Sequence, residues 1–159
     1  MKQKELSVYL RAIVILGAFC VLMLGGLIAP ELGREFAQGN PEIAYMFWPC
    51  LIFIWITAVP VTVTLVLVWL IAVEIGRDNS FCLENAARLR TISLLAAIDT
   101  VLYFLAAAVL AGLKMLHISI FILISGIIAV GAACIVTAAA LSHLTRKAAD
   151  LKADSDLTI

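Results

Sequence analysis

Four long stretches of this sequence contain almost no charged side chain, and they constrain the fold more than any other feature. Residues 12–30, 43–73 and 115–145 lack Asp, Glu, Lys and Arg altogether, and residues 91–115 are interrupted by Asp99 and Lys114. Each stretch is as long as the run of about 20 apolar residues that a helix needs to cross a hydrocarbon core about 30 Å thick. At 64% hydrophobic residues, the chain carries more apolar surface than a soluble core of 159 residues can bury.

The apolar character is continuous along each stretch and does not alternate with polar residues. Alternation over about 10 residues is typical of a membrane β-barrel strand, whereas a helix satisfies its backbone groups within one continuous run. The sequence therefore predicts an all-α integral membrane protein, a bundle of four transmembrane helices. We expect one domain over residues 1–147, followed by a largely disordered tail over residues 148–159. The four helices are expected near residues 8–29, 49–75, 82–114 and 118–147.

Positive charges are distributed unevenly among the segments that flank these helices. The first and third connections contain Arg34 and Lys114 as their basic residues. The other nine of the eleven lie at the two ends of the chain and in the second connection: Lys2, Lys4, Arg11, Arg77, Arg88, Arg90, Arg146, Lys147 and Lys152. Because short cytoplasmic segments carry an excess of Lys and Arg, both termini and the second connection are predicted to be cytoplasmic. Lys2 and Lys152 should then lie on the same side of the membrane as Arg88, opposite Arg34.

Two further patterns predict how the helices are connected and packed. Residues 31–42 end in a Gly-Asn-Pro turn signal and are interpreted as a plain linker. The alternative is one amphipathic turn that lies on the external surface of the membrane, formed by Leu32 and Phe36. In the fourth helix, small residues at four-residue steps predict a helix-packing face, since they let two backbones approach closely; they are Ser125, Ala129, Ala133 and Thr137.

Asp99 is a carboxylate within a predicted transmembrane helix. Placing such a group in the bilayer costs about 2.5–3.5 kcal/mol on insertion scales, so it is a functional candidate by default. We expect it about 12 Å inside the cytoplasmic face, at the depth of Thr64 and Thr137, and hydrogen-bonded to one of these hydroxyls. Two interpretations remain open: Asp99 joins helices as structural glue, or it is an intramembrane proton or cation site.

The second connection is the most polar stretch between two helices. Gly76 is predicted to end one helix, and the sequence Asp-Asn-Ser that follows at 78–80 provides turn and capping residues for the next. We expect Phe81 to pack inward against the bundle, while Glu84 or Asn85 braces the turn.

Motifs of catalysis or metal binding are missing from the sequence. His117 and His143 lie at opposite ends of the fourth helix, and the four cysteines form no C-x-x-C pair. No P-loop, nucleophile elbow or dinucleotide fingerprint occurs. We therefore predict no catalytic or metal-binding residue, no cofactor and no enzyme activity. The formal net charge of zero gives no reason to expect direct binding of nucleic acid.

Residues 75–92 resemble the signature of the small bacterial membrane proteins of DUF2975, the YoaS-like family. In that family a G-x-x-F-[ST]-x-E-N-x-x-x-L-R pattern joins the second and third of four membrane helices. Cys82 stands where the family usually has a hydroxyl residue, which weakens the capping expected there. The matching residues in this sequence are Phe81, Glu84, Asn85, Leu89 and Arg90.

The resemblance implies a role in the bacterial inner membrane but no defined activity. Family members are often encoded beside a small helix-turn-helix regulator, which implies a cytoplasmic partner in signalling or gene control. Our leading hypothesis is a non-enzymatic regulatory or partner-binding component of the membrane. The alternative is a small transporter or channel subunit that uses Asp99. Besides the lipid bilayer, the expected partners are that regulator, another membrane subunit or a second copy of this chain.

Overall fold

The computed structural model describes residues 3–156, which are helical apart from short connections. The main helices are α1 (Gln3–Met23), α2 (Ala29–Gly39), α3 (Phe47–Gly76), α4 (Leu83–Gly112) and α5 (Ile118–Asp156). A π-helical segment, Leu24–Ile28, joins α1 to α2, and a 3₁₀ segment, Pro41–Met46, leads into α3. The described residues contain no strand and provide four helical spans long and apolar enough to cross a membrane. The predicted all-α membrane fold is confirmed.

The first span continues well beyond its predicted end. Helix α2 covers most of residues 31–42, so the linker interpretation is wrong. The segment is an 11-residue helix continuous with α1, longer than the single turn of the alternative, whose position on the membrane surface stays a prediction. Pro30 does not break the span, although it lies inside a continuous helix: it directly follows the π-helical segment, where the hydrogen-bonding pattern of the backbone already changes. Leu32 and Phe36 are both exposed. The span ends at Asn40, whose side-chain Nδ2 and backbone N both donate to the carbonyl oxygen of Phe36.

The C-terminal helix also differs from its prediction. Helix α5 runs to Asp156, so residues 148–156 are ordered as helix instead of forming a disordered tail. The three alanines of this segment have high helix propensity, and the segment extends a helix that has already formed.

The four spans pack one after another as a row of antiparallel neighbours. Helix α1 packs on α3, α3 also packs on α4, and α4 also packs on α5. Within the described residues, no Cα atom of α1 comes within 8 Å of one in α4 or α5, and none in α3 comes that close to α5. Each of the outer helices, α1 and α5, therefore has a single helical neighbour.

Specific contacts fix which ends of the helices lie together. Ser7 hydrogen-bonds to the carbonyl of Ala72 at one end of the α1–α3 pair, and Gly33 lies against the ring of Phe47 at the other. Ser142 of α5 reaches the first turn of α4. The basic residues thus lie at two opposite ends of the helices, which correspond to the two sides of the membrane. Lys4, Arg88 and Lys152 share one end, which we call the basic end, and Arg34 lies at the other; Lys2 is outside the described residues.

The predicted packing face of α5 is wrong as a contact within this chain. Ser125, Ala129, Ala133 and Thr137 are all exposed. The face that meets α4 is rotated from this stripe and contains Ile124, Gly131 and Ala138. Gly131 is required there because the hydroxyl of Thr100 in α4 occupies the space that a Cβ atom would need.

Candidate functional site

The connection between α3 and α4, residues 77–82, is braced by one buried amide. The side chain of Asn85 is 1% exposed, and its Nδ2 donates to the carbonyl oxygen of Ser80 at 3.1 Å. Its Oδ1 accepts a hydrogen bond from Arg88 at 2.9 Å. The hydroxyl of Ser80 donates in turn to Oε1 of Gln3 in α1 at 2.9 Å. The prediction that Glu84 or Asn85 braces this turn is confirmed for Asn85.

The same end of the row holds further polar contacts between chain segments. The carboxylate of Glu74 accepts from Arg77 at 3.3 Å and from Nδ2 of Asn79 at 3.5 Å, which closes the connection on itself. The Ser142 hydroxyl donates to the carbonyl oxygen of Ala86 at 2.7 Å and joins α5 to α4. Together with the Ser7 contact, these bonds hold all four spans in register at the basic end.

Phe81 does not pack inward, contrary to the prediction. It is 58% exposed and Leu83 is 57% exposed, whereas Cys82 between them is 9% exposed. The backbone at Cys82 is extended, and successive side chains in extended backbone point to opposite sides. Cys82 therefore takes the inward position, and its burial raises the pKa of the thiol. Phe81 and Leu83 form an exposed apolar pair, which we call the apolar pair.

The other residues of the sequence motif lie on the first turns of α4. Glu84 and Arg90 are exposed, while Leu89 is half-buried. The connection therefore presents two apolar side chains among charged ones, on a backbone held by the buried Asn85.

The second candidate site is Asp99, where the predicted hydrogen bonds are not formed. Its Oδ1 atom is buried and has no hydrogen-bond partner in the described part of the chain. Thr137 is exposed on α5, and Thr64 on α3 is half-buried without a bond to Asp99. Depth counting placed these groups at one level, but it does not determine the direction in which each side chain points.

A different hydroxyl pair lies near Asp99, and sequence reasoning missed it. Tyr103 is one helical turn from Asp99 on α4, on the same face. Its hydroxyl is 3.3 Å from that of Thr57 in α3, and its ring meets Phe53 edge-on at 5.3 Å. Thr57 donates its own proton to the carbonyl of Ile54, so the Tyr103 hydroxyl is the donor of the pair. The i, i+4 spacing of an intramembrane acid and a tyrosine was the available signal.

Within the described residues, Asp99 makes no hydrogen bond that would join α4 to another helix. A buried carboxyl oxygen without a donor is costly unless a proton or cation satisfies it. The described residues contain no cluster of three or more His, Cys, Asp or Glu side chains that suits a metal ion.

Comparison with known proteins gives a family and one relative of similar length. The model of a family described as "Protein of unknown function (DUF2975)" matches residues 31–159. The chain is 23% identical over 155 residues to the "Uncharacterized membrane protein YoaS" of Bacillus subtilis (strain 168), covering 96% of this chain and 97% of that protein. No solved structure matches the chain.

Proposed function

This chain belongs to the DUF2975 family of proteins of unknown function, and we propose that it is a non-enzymatic regulatory protein of the bacterial inner membrane. It binds a protein partner through the connection between α3 and α4. The single observation that carries this proposal is the apolar pair, Phe81 and Leu83, exposed on a braced turn at the basic end.

The geometry favours recognition of a partner for two reasons. Exposed apolar side chains next to charged ones are typical of protein interaction sites. The buried Asn85 fixes the backbone that carries them, so little conformational entropy is lost when a partner binds. The hydrogen bonds around this connection also explain why it contains several polar residues although they form no catalytic site.

The side of the membrane follows from charge. The basic end carries most of the Lys and Arg residues of the chain, so by the positive-inside rule it faces the cytoplasm, together with both termini. The apolar pair is then presented to cytoplasmic proteins. A small helix-turn-helix regulator is the partner that the family resemblance implies, and the chain acts on DNA through it and not directly.

Photocrosslinking at position 81 tests the proposal. Benzoylphenylalanine replaces Phe81 in the full-length protein in cells, and a matched control places it at Leu144, which is also exposed near the basic end of α5. We expect an adduct with the regulator at position 81 and none at position 144. Phe81→Ala and Leu83→Ala should each weaken binding of the purified regulator to the protein in nanodiscs. Lipid adducts alone at both positions would mean that the pair anchors in the membrane interface.

Transport remains a second candidate because the Oδ1 atom of Asp99 is buried without a partner. In this alternative Asp99 takes up a proton or a cation within the membrane. Proteoliposomes with an internal pH-sensitive dye would show proton entry that Asp99→Asn abolishes and Thr137→Val, at an exposed intramembrane hydroxyl, leaves unchanged. Absence of proton flux through the unaltered protein would reject proton transport and leave the regulatory role.

A further inference from the structure

A groove of about 380 Å³ lies between α1 and α3 on the membrane-facing surface. Its walls are apolar and include Val14, Ala18 and Leu22 from α1 and Leu65 and Trp69 from α3. Thr62 also lines it, but its hydroxyl donates to a carbonyl of its own helix and presents no free donor. From Val14 to Leu22 the groove runs about 12 Å along α1, from near the basic end toward the middle of the membrane.

A cation lies at the end of the groove that is nearer the basic end. The guanidinium of Arg11 lies over the ring of Trp69, 5.6 Å from its centre, and Trp69 is also a wall of the groove. The Nε atom of Arg11 is buried without a hydrogen-bond partner, and in residues 3–156 the guanidinium makes no ion pair. Glu74, a carboxylate near the end of α3, is instead bonded to Arg77 and Asn79.

We propose that this groove binds an anionic phospholipid, with one acyl chain along the α1–α3 walls and the phosphate on Arg11. A planar guanidinium matches the geometry of a phosphate, and the apolar groove matches an acyl chain in depth and chemistry. Its volume is within the range of about 300–1,000 Å³ that is usual for ligand sites. Arg11 precedes a charge-free run, so it lies at the level of lipid headgroups. The negative surface potential of the cytoplasmic leaflet attracts basic residues close to it, and positive charge assigns this end to that side.

Charge complementarity selects this occupant over others. A zwitterionic lipid or an apolar helix of a second copy would fill the groove but offer no net negative charge to Arg11. In residues 3–156 the guanidinium of Arg11 has no carboxylate partner, and a phosphate oxygen would supply the charge-assisted hydrogen bond that it lacks. The site involves α1 and α3 and shares no residue with the apolar pair, so it stands or falls independently of the proposed function.

Trp69 provides a fluorescent probe within the site. The chain has three tryptophans, and replacing Trp48 and Trp55 with phenylalanine leaves Trp69 as the one emitter. This protein is reconstituted in bilayers that contain either brominated phosphatidylglycerol or brominated phosphatidylcholine, whose bromines quench tryptophan on contact. We expect quenching to report a preference of about five-fold for the anionic lipid, the factor that one arginine near an anionic headgroup supplies.

Matched variants then test the role of the guanidinium. Arg11→Gln should reduce the preference to about one, whereas Arg146→Gln, which removes an exposed charge near the same end of α5, should keep it. Circular dichroism checks that each variant retains its helices. Independently of any variant, raising the ionic strength from about 0.1 to about 1 M should weaken the preference, because it shortens the Debye length from about 10 to about 3 Å.

Three results would overturn the proposal. They are equal quenching by the two lipids in the unaltered Arg11 protein, a preference that survives Arg11→Gln, and a preference that salt does not change. Quenching that falls as protein density in the bilayer rises, with no lipid selectivity, would assign the groove to a second copy of the chain.

Discussion

Replacement of Asn85 by alanine should destabilise the protein more than any change of an exposed residue in the same turn. The substitution removes two hydrogen bonds from a side chain that is 1% exposed. The bond to the Ser80 carbonyl joins neutral groups and is worth about 0.5–1.5 kcal/mol, and the bond from the charged Arg88 is worth about 1.5–3 kcal/mol. We therefore expect a loss of about 2–4.5 kcal/mol in the free energy of unfolding.

The loss can be measured by unfolding the purified protein in dodecyl maltoside micelles with increasing SDS, followed by circular dichroism. Arg90→Ala is the matched control, because this side chain lies on the same turns of α4 and is exposed. It should change the unfolding free energy by less than about 0.5 kcal/mol. A double-mutant cycle with Arg88→Ala should give a coupling energy of about 1.5–3 kcal/mol for the pair.

A small effect would refute the bracing role of Asn85. If Asn85→Ala costs less than about 0.5 kcal/mol, or no more than Arg90→Ala, the buried amide does not hold the connection. A large effect without coupling to Arg88 would instead assign the loss to the bond with Ser80 and to packing.

Three further predictions concern packing, cysteine chemistry and topology. Gly131→Leu should destabilise the α4–α5 contact by about 1–3 kcal/mol, whereas Gly126→Leu, where an added Cβ meets nothing within 4 Å, should leave thermal unfolding unchanged. Cys82 should react slowly with iodoacetamide at neutral pH, and faster as the pH rises, because burial raises its pKa and keeps the thiol protonated. In a cysteine-free background, a membrane-impermeant maleimide added to whole cells should label Arg34→Cys and not Lys152→Cys.

A specific result would contradict each of these three predictions. Equal melting temperatures for the two glycine variants would mean that the close approach of α4 and α5 is not required. Alkylation of Cys82 as fast as that of a free cysteine in solution would mean that the thiol is exposed to solvent. Labelling at the C-terminal position from outside would reverse the proposed orientation of the chain.

The sequence was sufficient to predict the spans but not their contact faces. Long charge-free runs require helices in a bilayer whatever their neighbours, and so the number of spans followed from composition alone. The choice of contact face depends on how neighbouring surfaces fit. Several stripes of small residues occur on α5, and the stripe that contains Gly131 meets α4 because Thr100 projects at that level. The stripe from Ser125 to Thr137 was equally good by spacing and is exposed.

The candidate sites show the same division between local and tertiary information. Asn85 was recognised because a polar residue after a turn has a local role in bracing it. Phe81 was misplaced because hydrophobicity suggested burial, whereas the extended backbone at Cys82 directs Phe81 outward. For Asp99, depth along a helix could be counted from the sequence, but the absence of a bond to Thr64 depends on rotation of α3 relative to α4.

The serial packing of the helices has a consequence for biosynthesis. Each span contacts the span that is synthesised immediately before it. In the described residues, neither α1 nor α3 contacts α5, so their packing does not depend on the last helix. Each span can therefore associate with its predecessor as soon as it leaves the ribosome. Insertion can proceed one hairpin at a time, with few contacts between distant parts of the sequence to delay it. A nascent chain that has reached the end of α4 already contains every partner that α1 and α3 require.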